Sequence, residues 1–269
     1  MDKSVIDFNV RLRTIRIRDL IVGIIIAIIL SSIISSIFPA IDADDNLFMI
    51  MFLLIATLLY AYALNGTRGL EYNFDDFSKD NVKKEILYVF IINFLFACLF
   101  VFLISAFDFL SGLNDPNWIS MLDVDTVDMD SSILILEGIA AIIFAPIVEE
   151  LTFRGVLFNR LKIRTGIIPA MLISSFIFAI GHEYGGITSA FLFGICMCIL
   201  YLKTDNIFIP MSVHFINNVV ATVLETSGVD IFLAQMPLLI PSLIISIIGT
   251  LLLAKYIIKE TRLIKKEFG

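Results

Sequence analysis

The sequence is poor in charged residues, which make up 17% of its 269 positions, and it contains two histidines and one tryptophan. Water-soluble domains carry about 25% charged and roughly 45–50% apolar residues. Here 59% of the residues are hydrophobic and the mean hydropathy is +0.96. This excess of apolar surface excludes a soluble α/β enzyme and a disordered chain. It also excludes a nucleic-acid partner, in agreement with the net charge of −7 at pH 7.

Cysteine is scarce as well. The three cysteines, Cys98, Cys196 and Cys198, all lie in apolar runs. Their odd number and their spacing match neither a disulfide framework nor a metal-binding motif. The sequence therefore predicts no structural disulfides, and we expect no cofactor.

Long apolar runs dominate what remains. A helix that crosses a bilayer needs about 20 mostly apolar residues. Eight segments approach this length: Leu20–Phe38, Leu47–Leu64, Ile86–Leu110, Ile133–Phe158, Ile167–His182, Ile187–Leu202, Ile207–Glu225 and Leu238–Ile258. We therefore predict an all-α polytopic membrane protein with about eight transmembrane helices. A basic N-terminal segment at 1–19 and a basic tail at 259–269 flank one transmembrane domain at 20–258.

The basic residues orient these helices in the lipid bilayer. The connections at 39–46, 111–132, 183–186 and 226–237 contain no lysine or arginine, whereas the alternate connections and both ends of the chain do. Loops rich in lysine and arginine stay in the cytoplasm. The pattern predicts a protein of the cell (plasma) membrane with both termini cytoplasmic. The N-terminal segment can alternatively form an amphipathic helix on the membrane surface.

Ionisable residues inside the predicted helices are costly and tend to be functional. Glu149 and Glu150 fall inside the fourth apolar segment, followed by Arg154. Glu150 and Arg154 are four residues apart, so they share a helix face and can form an ion pair. Glu149 is rotated about 100° from Glu150 and points elsewhere. The alternative is that this helix is simply leaving the membrane and acquiring charged residues.

Both histidines also belong to apolar segments. His182 ends the fifth segment, and His214 lies in the seventh, where Asn218 follows it on the same helix face. Taken alone, a histidine at a helix end is compatible with a structural role, and His214 with a hydrogen bond between helices. The distances of Glu149, His182 and His214 from the predicted cytoplasmic ends nevertheless allow the three side chains to converge on one internal site.

The motifs Glu-Glu-x-x-x-Arg, Phe-x-x-x-His and His-x-x-x-Asn occur in this order on successive predicted helices. The sequence resembles the CPBP family in this respect, which comprises the CAAX proteases and bacteriocin-processing enzymes, also called Abi proteins. The matching residues lie between positions 149 and 218, and they are Glu149, Glu150, Arg154, Phe178, His182, His214 and Asn218. The first half of the chain matches this family only in being hydrophobic.

The resemblance implies an intramembrane endopeptidase of the metal-independent glutamate type, acting on a peptide or small protein. By position in the family motifs, Glu149 and His182 would activate water. His214 and Asn218 would stabilise the oxyanion, while Glu150 and Arg154 would organise the site. No metal is expected on this interpretation.

Two other functions remain open from the sequence. A zinc-dependent membrane protease could use His182, His214 and Glu149 as ligands, although the chain lacks the second histidine of a zincin helix, because position 186 is Gly186. A non-catalytic immunity or regulatory protein would instead bind a partner membrane protein. A transporter is less compatible with the sequence, since no inverted repeat is visible.

Overall fold

The computed structural model describes residues 7–42, 45–66, 69–74, 79–110, 136, 138–182 and 186–268. Within these ranges the regular structure is helical, and no strand occurs. The helices are α1 (Phe8–Leu12), α2 (Ile17–Ile37), α3 (Pro39–Asp42), α4 (Asp45–Ala63), α5 (Glu71–Phe74), α6 (Asp80–Leu110), α7 (four joined segments, Ala140–Phe144, Ala145–Glu150, Leu151–Phe158 and Asn159–Thr165), α8 (Ile167–Ala179), α9 (Ile187–Thr204), α10 (Phe208–Ser227), α11 (Val229–Leu233) and α12 (Leu239–Phe268). The predicted connection at 111–132 lies outside the described residues.

Four of these helices, α2, α6, α9 and α12, are long and apolar enough to cross a membrane. Helices α4, α8 and α10 are shorter apolar helices. The remaining predicted segment, Ile133–Phe158, corresponds to α7, of which the structure describes the part from Ala140 onward as helical segments. The all-α polytopic architecture predicted from the sequence is confirmed.

Burial separates the helices that face lipid from the helix at the centre. On α2 the side chains of Ile21, Ile25 and Ile29 are about half exposed, as expected of a surface that lipid covers. On α9, by contrast, residues 196–201 are almost completely buried. Helix α9 therefore forms the centre of the protein, packed against α8, α10 and α6.

Helix α7 departs from α-helical geometry around the glutamate pair. The segments Ala140–Phe144 and Leu151–Phe158 are π-helical, and the N–H of Ala145 donates to the carbonyl of Ala140. Pro146 has no N–H, so it cannot supply the α-helical bond to the carbonyl four residues earlier. The sequence predicts a kink at this proline, and the structure contains a widened π-helical turn directly before it. Such turns are frequent at functional sites.

The predicted N-terminal segment packs against one end of the helical core. Leu12 of α1 is fully buried and lies over Gly155 of α7, where an added Cβ would come within 2.5 Å of the leucine side chain. The Asn9 side chain accepts a hydrogen bond from the N–H of Ile207. Arg160 donates to the carbonyl of Ile15, just before α2 begins. The amphipathic segment thus has a buried face against protein.

The C-terminal part of the chain lies at the same end. Helix α12 continues to Phe268, so most of the predicted tail at 259–269 is helical. Lys203 of α9 forms ion pairs with Glu85 of α6 and with Glu260 of α12, the latter at 3.1 Å. Tyr256 donates a hydrogen bond to the same Glu85 carboxylate. These contacts join three membrane helices at one end of the bundle.

Gly249 allows α12 to approach α6 closely, and its substitution tests this packing. A Cβ at position 249 would lie 2.4 Å from the Cβ of Leu95, whereas a Cβ at Gly23 of α2 would meet nothing within 4 Å. We expect Gly249→Ala to destabilise the protein by about 1–3 kcal/mol, because overpacking forces the helices apart. Thermal unfolding in detergent should show a lower midpoint for Gly249→Ala than for the control Gly23→Ala. Equal midpoints would contradict this account of the α6–α12 interface.

Candidate active site

The site is built around a carboxylate that has no access to water. The Glu150 side chain is fully buried, and its Oε1 accepts hydrogen bonds from Arg154 Nη1 and from His214 Nδ1, each over 2.9 Å. The ion pair between Glu150 and Arg154 confirms the pairing predicted from their spacing on α7. The bond from His214 adds a contact between α7 and α10 that the spacing alone does not predict.

Aromatic rings surround this buried cluster. The guanidinium carbon of Arg154, itself fully buried, lies 4.4 Å from the centre of the Phe178 ring, a cation–π contact. The His214 ring packs edge-on against Phe193 at 5.1 Å and against Phe178 at 6.0 Å. The phenylalanine of the Phe-x-x-x-His motif thus contacts both Arg154 and His214. These rings exclude water and fix the orientation of the imidazole.

Glu149 occupies a different environment from its neighbour. Its side chain is 30% exposed, and its Oε2 lies 3.6 Å from His214 Nε2. The two nitrogens of one imidazole therefore face the two adjacent glutamates. This arrangement agrees with the prediction that one carboxylate is compensated by Arg154 while the other points elsewhere.

His182 reaches the same region from the end of α8. Its Nδ1 lies 3.0 Å from the carbonyl oxygen of Phe178, one turn earlier, and its ring packs 4.6 Å from the Phe178 ring. A carbonyl only accepts hydrogen bonds, so Nδ1 carries the proton and a neutral His182 has its lone pair on Nε2. In this tautomer Nε2 is the ring nitrogen that can accept a proton.

A cavity of about 170 Å³ joins several of these groups. His182, His214 and Asn218 line it, whereas the carboxylate of Glu149 does not, and approaches the cavity through His214. The Asn218 amide donates to the carbonyl of Ala141 over 2.7 Å, which leaves its second N–H available. The other lining residues are Asn93, Ala97, Phe178, Gly186, Ser189, Ala190, Phe193 and Asn217.

Sequence reasoning missed the contribution of α6 to this cavity. Asn93 is a polar residue inside the apolar segment Ile86–Leu110, which is a signal of the same kind as the one that identified the glutamates and histidines. Asn217, beside the motif residue Asn218, lines the cavity as well. The cavity therefore combines residues from the motif region with at least one from the first half of the chain.

The buried ion pair predicts a strong and specific effect on stability. In Arg154→Leu the Glu150 carboxylate loses its guanidinium partner, and breaking a buried pair in this way costs about 3–5 kcal/mol. We expect a large fall in the unfolding midpoint in detergent, or a loss of folded protein. The double variant Glu150→Gln/Arg154→Leu should be more stable than Arg154→Leu, because no charge is left unpaired. Wild-type stability of the single variant would contradict the assigned geometry.

Comparisons with known proteins agree on the region that contains this site. Residues 131–220 match the family described as "Type II CAAX prenyl endopeptidase Rce1-like". The "Putative membrane peptidase YdiL" of Bacillus subtilis (strain 168) is 32% identical over 98 residues, which are 36% of this chain and 40% of that protein. The chain thus matches less than half the length of this relative. No solved structure matches significantly. The matched region contains all three motifs in their order, so these comparisons support the resemblance of residues 131–220 to the CPBP family.

Proposed function

We propose that the protein is an intramembrane endopeptidase of the glutamate type, which hydrolyses a peptide bond in a peptide or small protein. The observation that carries this proposal is the difference in environment between the two adjacent glutamates. Glu150 is buried and neutralised by Arg154, while Glu149 remains partly exposed beside His214. The Rce1-like match and the named peptidase relative support a membrane protease in general.

Water activation is the role proposed for Glu149 and His182. The side chain of Glu149 is partly exposed, so it is not enclosed by the packed core as Glu150 is. His182 lines the cavity and has its Nε2 lone pair free of the bond that Nδ1 makes to Phe178. A base within hydrogen-bond reach of the attacking water removes its proton and then returns a proton to the leaving amine.

Oxyanion stabilisation is the role proposed for His214 and Asn218. As an imidazolium, His214 donates from Nδ1 to Glu150 and can donate from Nε2 to the developing oxyanion. Asn218 contributes the amide N–H that Ala141 does not use. Donors fixed before the reaction stabilise the tetrahedral intermediate without further reorganisation.

Orientation and substrate are also part of this proposal. The bundle end that carries Arg160, Lys203 and the C-terminal part of α12 is assigned to the cytoplasm, because basic residues concentrate there. The substrate is a peptide segment that enters the cavity between α6, α8 and α10. The family description names prenylated substrates, so an assay should include peptides with and without a prenyl group.

Conservative substitutions test the catalytic assignment. We expect Glu149→Gln and His182→Ala each to lower kcat about 10²–10⁴-fold, because each removes a proton-transfer group. Asn218→Ala should lower kcat about 10²–10³-fold through loss of an oxyanion donor. The measurement is cleavage of internally quenched CAAX-type peptides, farnesylated and unfarnesylated, by purified protein in detergent.

The matched control for these variants is Glu71→Gln, which changes an exposed glutamate on α5. All variants should unfold near the wild-type temperature. Wild-type rates for Glu149→Gln would refute the enzymatic role, and a biological phenotype retained by that variant would favour the non-catalytic immunity or regulatory role.

Metal independence can be tested on the same peptides. In the described part of the chain, no three histidine, cysteine, aspartate or glutamate side chains are close enough together to hold a metal ion. The alternative is a zinc site built from His182, His214 and Glu149. We expect cleavage to continue unchanged in a zinc-selective chelator. Inhibition that added zinc reverses would instead establish the zinc-dependent alternative.

A further inference from the structure

Asn93 of α6 places an unused hydrogen-bond acceptor in the candidate active site. Its side chain is 5% exposed and lines the cavity together with His182 and His214. Its Nδ2 donates to the carbonyl of Val89, one turn earlier, over 2.8 Å. Its Oδ1 is buried and accepts no hydrogen bond from any residue that the structure describes. The buried Cys196 thiol, a weak donor, interacts with this amide but completes no hydrogen bond to Oδ1.

The location of this acceptor distinguishes it from other unsatisfied amides. The side-chain oxygens of Asn73 and Asn159 are also buried without a donor, but neither residue lines the cavity. A buried acceptor without a partner destabilises the folded protein. At a functional cavity, a bound ligand can supply the missing donor. Asn93 differs from both in belonging to the cavity wall.

The chemistry of a bound peptide supplies such a donor. In the proposed reaction, His214 and Asn218 provide donors for the carbonyl oxygen of the scissile bond. A peptide in an extended conformation also presents backbone N–H groups, which need acceptors when they leave water. Asn93 lies on α6, whereas the oxyanion donors lie on α10, and both helices contribute to the cavity wall. The cavity thus offers an acceptor on one helix and donors on another.

We propose that Asn93 Oδ1 accepts a hydrogen bond from a backbone N–H of the substrate beside the scissile bond. This inference rests on the proposed function and adds a substrate-binding residue from the first half of the chain. That half lies outside the matched family region at 131–220. The ligand class is a peptide main chain in extended conformation, recognised without regard to its side chains at this position.

The first test replaces the amide with an apolar side chain of similar size. In Asn93→Leu we expect KM to rise about five- to tenfold with kcat changed less than twofold, because a hydrogen bond made equally in ground and transition states is lost. The unfolding midpoint should stay the same or rise, since a buried unsatisfied acceptor is removed. An unchanged KM, or a lower midpoint without a KM effect, would overturn the inference.

Ser105→Ala provides the matched control on the same helix. Ser105 is buried and donates to the carbonyl of Val101 one turn earlier, and it is not among the residues that line the cavity. We expect this variant to cleave the same quenched peptide with wild-type KM and kcat. A KM increase as large as that of Asn93→Leu would assign the effect to general disturbance of α6 and would overturn the inference.

A modified substrate tests the specific bond. Replacing one backbone amide of the cleaved peptide by an ester removes a single N–H, and a set of such peptides samples the positions flanking the scissile bond. At one position the ester should raise the KM of the wild type about five- to tenfold, whereas the KM of Asn93→Leu should not rise further. Equal changes in KM for both proteins at every position would overturn the inference.

The same experiment separates this inference from the proposed function. Cleavage by the wild type and its loss in Glu149→Gln support the enzyme, whatever Asn93 does. If the enzyme is active and Asn93→Leu behaves as wild type toward every ester peptide, only the proposed role of Asn93 is refuted. If the wild type cleaves no peptide that Glu149→Gln leaves intact, both proposals fall.

Discussion

The buried carboxylate of Glu150 binds Arg154 on its own helix and His214 on another, and the candidate site depends on these two bonds. An ionised carboxylate removed from water is strongly destabilising unless it is paired and hydrogen-bonded. The requirement for both partners therefore fixes α7 relative to α10. It also fixes the imidazole of His214, whose second nitrogen faces Glu149. The relative positions of α7, α10 and the His214 ring thus follow from the two bonds to Glu150 Oε1.

The adjacent glutamates illustrate how one helix can place two residues of the same type in different environments. Glu150 points into the core, where Phe178 covers its arginine partner. Glu149 is rotated away, and 30% of its side chain remains exposed. In the proposed mechanism the first carboxylate organises the site and the second takes part in proton transfer. The π-helical turns on both sides of Ala145–Glu150 adjust the direction in which these residues project.

The sequence predicted the features that depend on local geometry. The apolar runs predicted the helices, and the spacing of Glu150 and Arg154 predicted their ion pair, because residues four apart share a helix face. The start of α6 at Asp80 and the extension of α12 to Phe268 were not predicted, since helices continue beyond their apolar segments. Hydropathy detects the part within lipid, not the helical turns beyond it.

Contacts between residues far apart in the chain could not be predicted from one sequence. The bond between His214 and Glu150 joins residues 64 positions apart, and the approach of Asn93 to the cavity depends on how α6 packs. The positions of Glu149, His182 and His214 along the predicted helices placed them at depths in the membrane that allow them to converge. Those positions gave no distances between atoms. Helix packing decides which nitrogen of His214 faces which glutamate, and that choice underlies the proposed mechanism.

The measurement that tests the central claim most directly is a comparison of the peptides in cells that produce the wild type or Glu149→Gln at equal levels. The account predicts a defined set of cleavage products in wild-type cells. In Glu149→Gln cells these products should be missing and their intact precursors should accumulate. Identical peptide profiles from the two strains, with both proteins folded in the membrane, would contradict the assignment of Glu149 as the residue that activates water.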